Sequence, residues 1–130
     1  MKGDIPSYKV HEDAHAVAFL DIQPLREGHA LVIPKQHATR LQELPPAEAD
    51  ALWRAVHAVA AKTEAATGAT GTTVAVNNGR AAGQEVPHVH VHVVPRKEGD
   101  GAGPVHAAFP DRPSLAREEL QALAERVRAA

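Results

Sequence analysis

The chain has no cysteine, which excludes disulfides, cysteine-ligated zinc and a thiolate nucleophile and favours a reducing compartment. Aromatic residues make up only 3% of its 130 positions, so a core has to come from Val, Leu, Ile and Ala. Neither charge is in excess: the formal net charge is -2 and the isoelectric point is near 6.5. A duplex nucleic-acid partner gripped through its phosphates is therefore not expected, whereas a small nucleotide needs only a few local donors. No apolar run is long enough to span a bilayer, and the first residues, MKGDIPSYKV, hold no apolar signal segment. The expected location is cytoplasmic, with no membrane partner. At this length the chain is expected to fold as one domain, burying somewhat under about 70% of its unfolded surface.

What the sequence does have is histidine, nine in all, and three of them stand in the run His88-Val-His-Val-His-Val-Val94. On a β-strand successive side chains alternate faces, so His88, His90 and His92 would share one surface and Val89, Val91 and Val93 the other. Neighbouring imidazoles would lie about 7 Å apart. A row of titratable rings adds little to packing, which marks this surface as a site.

The remaining pattern supplies a frame. Ser7–Glu12 and His15–Leu20 read as a hairpin turning at Glu12-Asp13-Ala14, and Ala30–Ile33 as a buried third strand stopped at Pro34. Pro45 and Pro46 suit a helix start, with Leu52, Val56, Val59 and Ala60 at helical spacing before Gly68. Thr72–Val76 is the fourth strand by its β-branched content, Asn77–Gly83 a turn-rich loop, and Val86–Val94 the fifth strand. Lys97–Gly103 is flexible by composition. A second helix is expected over Leu115–Val127 with Ser114 as N-cap. The expected fold class is α+β: a five-stranded, mostly antiparallel sheet with one long central helix and a C-terminal helix. Residues 1–96 would form the working domain, and residues 97–130 a flexible loop and a helix packed on that same domain.

Two chemistries fit a histidine row. Imidazole is a common zinc ligand, but the outer pair would sit about 13 Å apart along a strand, so ligands from elsewhere, such as His29 or His37, would be needed. The other chemistry makes the middle ring a nucleophile. An imidazole with an ordinary pKa near 6.5 is largely neutral at pH 7. Attack on phosphorus then splits one displacement into two easier ones, with the flanking rings serving the phosphate oxygens. His90, with a ring on both sides, is the natural nucleophile. Its second nitrogen should bond a backbone carbonyl or another His, fixing the reactive tautomer.

The His-φ-His-φ-His-φ-φ run, preceded by Gly83-Gln-Glu-Val-Pro87, resembles the histidine triad (HIT) superfamily of nucleotide hydrolases and transferases. Leu31-Val-Ile-Pro-Lys-Gln-His37 and Asp4-Ile-Pro-Ser-Tyr-Lys-Val10 are similar to segments of its purine-nucleoside phosphoramidase branch. The resemblance implies that His90 forms a nucleotidyl-histidine at the α-phosphate and that His88 and His92 assist. It implies that Asp21 receives the ribose hydroxyls, accepting two hydrogen bonds, with Ile22 beside the base. Asn77 would contact the phosphate or leaving-group side. Gly83 and the backbone of Gln84 and Glu85 would approach the phosphate; relatives often carry serine or threonine where Glu85 stands. His29 and His37 would be partners of the triad, specifically of His88. His92 resembles the hydrolase pattern, since transferase branches typically have glutamine there. The implied activity is hydrolysis at the α-phosphate of nucleoside phosphoramidates or related nucleotidyl compounds by a homodimer, with no cofactor and no metal. Two other readings stay open: a nucleotide-binding regulatory protein with incidental hydrolysis, and a dinucleoside polyphosphate hydrolase.

Overall fold

The computed structural model describes residues 8–130; the expected strand start at Ser7 and the Asp4–Ser7 part of the resemblance lie outside them. Five strands, β1 (Lys9–Glu12), β2 (Ala16–Leu20), β3 (Ala30–Pro34), β4 (Gly71–Ala75) and β5 (Val91–Arg96), form one sheet in the order β1-β2-β3-β5-β4. Every neighbouring pair is antiparallel. Helix α1 (Pro46–Thr67) joins β3 to β4, and α2 (Arg117–Ala129) follows the sheet. This is the α+β arrangement the sequence implies.

Local chemistry sets the joints. The β1–β2 turn is tied by the Asp13 carboxylate, which accepts from the amides of His15 (2.7 Å) and Ala16 (2.9 Å). Helix α1 opens on Pro46, whose missing N–H costs nothing in the first turn. It ends on Gly68 in the left-handed region, whose amide closes on Glu64 O at 2.9 Å.

Leu52, Ala55, Val56, Val59 and Thr63 form the buried stripe of α1, packed against β2, β3 and β5. The facing sheet positions are Ala16, Ala18, Ala30, Val32, Val91 and Val93, all fully buried. Three alanines among the six let the helix settle close to the sheet, so the scarcity of aromatics is matched by a thin core. Phe19 is buried, while Tyr8, Trp53 and Phe109 are exposed.

The fifth strand differs from its expected span of Val86–Val94. Strand pairing begins at Val91 and runs on through Pro95 and Arg96. Pro87 has no N–H for a ladder, the His88 amide turns back to Val86 O (2.8 Å), and the Val89 amide bonds Ala38 O (2.8 Å) in the segment after β3. The side chains nevertheless keep alternating: Val89, Val91 and Val93 are buried, and His88, His90 and His92 stay half-buried on the other side.

Beyond β5 the glycine-rich loop is tethered more than its composition suggests. Arg96 grips the Asp100 carboxylate with two nitrogens and also donates to Thr73 Oγ1 (3.0 Å) and to the carbonyls of Ala102 and Gly103. Helix α2 begins two residues later than expected. Its N-cap is Ala116, whose amide bonds the Glu119 carboxylate at 3.0 Å, and Ser114 takes no part. Every residue from 101 to 130 is exposed, so the expected packing of this helix on the domain is not seen within one chain.

Candidate active site

Three backbone groups decide the protonation pattern of five histidines. The Leu25 amide donates to His29 Nδ1 (3.1 Å). That nitrogen is therefore bare, and His29 carries its proton on Nε2, which faces His92 Nδ1 at 3.0 Å. His92 Nδ1 accepts, so in the neutral ring the His92 proton sits on Nε2, away from His29. The second anchor is the carbonyl of Pro34 at the end of β3. It accepts from His88 Nε2 (3.1 Å), which leaves His88 Nδ1 to accept from His37 Nδ1 (2.9 Å).

His90 lies between the two chains of rings. Its Nδ1 donates to the carbonyl of His88 (2.9 Å), so Nε2 presents a lone pair. The His90 ring meets the His92 ring edge-on, centroids 5.0 Å apart and planes at 65°. A bare nitrogen and a ring N–H thus lie on adjoining rings, an arrangement that can pair a nucleophile with a hydrogen-bond donor.

The flanking histidines are not equivalent. Both nitrogens of His88 are taken, so its ring offers no free donor, and it acts on His90 through its carbonyl. His92 keeps a free N–H. Likewise His37 partners His88 as expected, but His29 partners His92, because β3 pairs with β5 in a register that sets Ala30 against Val93 and Leu31 against His92. His29 is buried at 2% exposure, a cost met by hydrogen bonds at both ring nitrogens.

Burial pushes His29, His88 and His92 below the ordinary imidazole value. The neighbouring rings His90 and His29 add to this in His92, while the Pro34 carbonyl opposes it in His88. Neutral rings are the forms the hydrogen bonds require.

The other expected residues fall into place unevenly. Asp21 follows β2; its Oδ1 accepts from the Gln23 amide (2.9 Å), tying a turn, and Oδ2 lies 3.8 Å from His29 Nδ1. Ile22 beside it is 67% exposed, an aliphatic side chain facing solvent at the His92 end of the row. Asn77 follows β4, whose last residue Ala75 pairs with His92. Gly83 has φ +92, which favours glycine, and open space at its α-carbon. The Gly83 amide is spent on Arg80 O (2.9 Å) and the Gln84 amide on Gly79 O (3.1 Å), so neither is free for a phosphate as expected. The Gln84 side chain is instead a brace. Its oxygen accepts from the Gly79 amide (2.7 Å), and its nitrogen donates to Thr39 O (2.7 Å) and Val86 O (3.0 Å).

Sequence reasoning missed the Leu25 amide and the Pro34 carbonyl, since backbone groups carry no residue signal. It also missed Arg40 and Arg80, which line a cavity together with Thr39 and Pro87. Among the described residues no three His, Asp or Glu side chains gather closely enough to hold a metal ion. His11, His15, His57 and His106 lie away from the triad: His11 pairs with Asp13 and His15 with Glu48, and His57 and His106 are exposed.

The family model of the HIT domain matches residues 2–99. The chain belongs to the HIT family. Among HIT relatives, the adenosine 5'-monophosphoramidase hnt1 of Schizosaccharomyces pombe is 41% identical over 128 residues, 98% of this chain and 90% of that protein. The adenylylsulfatase HINT3 of Arabidopsis thaliana is 41% identical over 100 residues, 77% of this chain and 51% of that protein. The crystal structure of SMU.412c from Streptococcus mutans UA159 superposes with a TM-score of 0.86 at 38% identity, covering 98% of this chain and 78% of that one. No helix among the described residues is long and apolar enough to cross a membrane.

Proposed function

We propose that the chain is a nucleotide hydrolase acting at the α-phosphate of nucleoside phosphoramidates or related nucleotidyl compounds, through a nucleotidyl intermediate on His90. One observation carries this reading: His90 Nδ1 is bound to the His88 carbonyl, which leaves Nε2 bare beside the His92 ring. Relatives named adenosine 5'-monophosphoramidase and adenylylsulfatase support it, since both names describe cleavage at a nucleotidyl phosphorus.

In the first step the Nε2 lone pair forms a bond to phosphorus and the bond to the leaving group breaks. Its electron pair departs with an amine nitrogen, which takes a proton from solvent, or with an oxyanion, which needs none. His90 keeps its Nδ1 proton and becomes an N-phosphorylated imidazolium, stabilised by the His88 carbonyl. His92 Nε2–H donates to a phosphate oxygen. Water then attacks phosphorus, the phosphorus–nitrogen bond breaks, and one proton is released to solvent, restoring neutral His90. Asp21 and Ile22, at the His92 end, would receive ribose and a purine base. The substrate is thus a purine nucleoside monophosphate derivative. We also propose a homodimer, with the exposed Trp53 of α1 at its contact, and a cytoplasmic location.

The test is a panel of adenosine and guanosine phosphoramidates, adenylyl sulfate and diadenosine polyphosphates, run on wild type and on His90→Asn. Turnover by wild type, with His90→Asn inactive yet still binding AMP, is the expected result. Binding without turnover by wild type would point to a nucleotide-binding protein instead. Full activity in His90→Asn would overturn the mechanism.

A further inference from the structure

A cavity of about 650 Å³ is lined by residues from the two segments that carry His37 and His88. Thr39 and Arg40 line one side, and Gly79, Arg80, Glu85 and Pro87 line the rest. His37 lies two residues before Thr39, and Pro87 directly precedes His88. Thr39 Oγ1 donates to Pro87 O at 3.4 Å, and the Gln84 side chain bonds both segments. The cavity walls are therefore tied to the same backbone that positions His37 and His88.

Its charge is unusual for this chain. Arg26 and Arg96 both lie against Asp100, whereas among the described residues no carboxylate comes within 4.0 Å of the Arg40 or Arg80 guanidinium. Glu85 is the one carboxylate on the cavity wall, so two fixed positive charges face one negative. Arg40 is also seated: a β-carbon added at Gly79 would stand 3.3 Å from its Cζ, Nε and Nη2. Glycine at 79, with φ +95, is what lets the guanidinium lie over the loop.

We propose that Arg40 and Arg80 form a leaving-group subsite that favours nucleotidyl compounds whose leaving group is itself anionic, bearing a carboxylate, sulfate or phosphate. This rests on the function proposed above and extends it. Contacts along the site run from Asp21 through His29, His92, His90 and His88 to His37, and Arg40 follows three residues on. With ribose at the Asp21 end and phosphorus at His90, the leaving group falls on the arginine side. A guanidinium pairs with planar or tetrahedral oxyanions through two parallel N–H donors, and a cavity of this size holds an amino acid or larger group. Glu85 opposes the preference by its charge.

The experiment compares kcat/KM for adenosine 5'-phosphoramidates of β-alanine and of β-alaninamide, which share the scissile bond and differ in one charge. Adenylyl sulfate and ADP are run alongside to separate carboxylate, sulfate and phosphate leaving groups. Wild type should favour the acid over the amide by about tenfold, the worth of one good charged hydrogen bond. In the double variant Arg40→Gln/Arg80→Gln the ratio should fall to near one, in Arg40→Lys/Arg80→Lys to an intermediate value, and in Glu85→Gln it should rise. Both substrates are measured on the same protein, so a general loss of fold cancels from the ratio, and the single variants serve if the double one does not fold. A wild-type ratio near one, or a ratio unmoved by the double variant, would overturn the subsite. Failure of wild type to turn over even unsubstituted adenosine phosphoramidate would overturn the hydrolase reading instead.

Discussion

Replacing His29 with Phe should slow the reaction without touching a residue that meets phosphorus. The ring of His29 is buried, and its Nε2–H is the group that fixes His92 Nδ1 as an acceptor. Phenylalanine fills the volume but leaves that nitrogen unpartnered in the interior. An unsatisfied buried acceptor costs about 1–3 kcal/mol, and moving the His92 proton to Nδ1 lowers that cost, because an N–H can lie against the negative face of the phenyl ring where a lone pair is repelled. The Nε2 donor proposed for the phosphate is then lost. Outright removal of an oriented donor of this kind costs about 10²–10³ in kcat. Because the His92 ring stays in place and can still sample the active tautomer, the expected loss is smaller, about 10- to 100-fold in kcat. Affinity for AMP should change little. His29→Gln, whose amide can both accept from Leu25 and donate to His92, should recover part of the rate. The assay is steady-state hydrolysis of adenosine phosphoramidate, with thermal unfolding to confirm the fold. A folded His29→Phe protein with activity within about twofold of wild type would refute the tautomer argument, since such a change is under about 0.5 kcal/mol in the barrier.

Two other outcomes follow from the same contacts. Burial holds His29, His88 and His92 neutral and below the ordinary imidazole value in the native state, so the unfolded chain binds more protons as the pH drops through about 6.5. Their contribution to stability is complete above that pH and is lost as it falls toward the depressed native values. Each neutral-held ring adds a slope of at most about 1.4 kcal/mol per pH unit, about 4 for three. Urea unfolding between pH 7.5 and 5 should show this decline, and a flat profile would contradict it. Gln84→Ala removes three hydrogen bonds that tie the 79–86 loop to Thr39, with an expected cost of about 2 kcal/mol for a half-exposed group. A change under about 0.5 kcal/mol in denaturant unfolding would show the brace to be idle.

Much of this was legible in the residues. The hairpin, the buried third strand and the Pro-started, Gly-ended α1 follow from apolar period and turn chemistry, which are local signals. The β5 boundary was not legible, because alternation of Val and His continues through residues 88–90 where strand pairing has stopped. Burial pattern tracks side-chain direction, whereas a ladder needs a neighbour's backbone, and Pro87 and Ala38 settle that in three dimensions. The triad was visible for the same reason: its spacing alone aims three rings to one side. Which ring does what was not visible. His88 is committed at both nitrogens and His92 is not, and the difference comes from Pro34 O, Leu25 N–H and the β3–β5 register, none of which a local pattern encodes. Arg40 and Arg80 are 40 residues apart in the chain, and their loops are brought together by the Gln84 brace and by Asn78, whose side chain bonds the Leu41 amide and Gln42.

The most direct check of a bare His90 Nε2 as nucleophile is mass spectrometry of protein quenched in acid-free conditions during turnover of adenosine phosphoramidate. The expected result is a single covalent nucleoside monophosphate on the peptide holding His88, His90 and His92, located at His90 and absent from His90→Asn. An adduct on another residue, or steady turnover with inversion at phosphorus and no adduct, would contradict it.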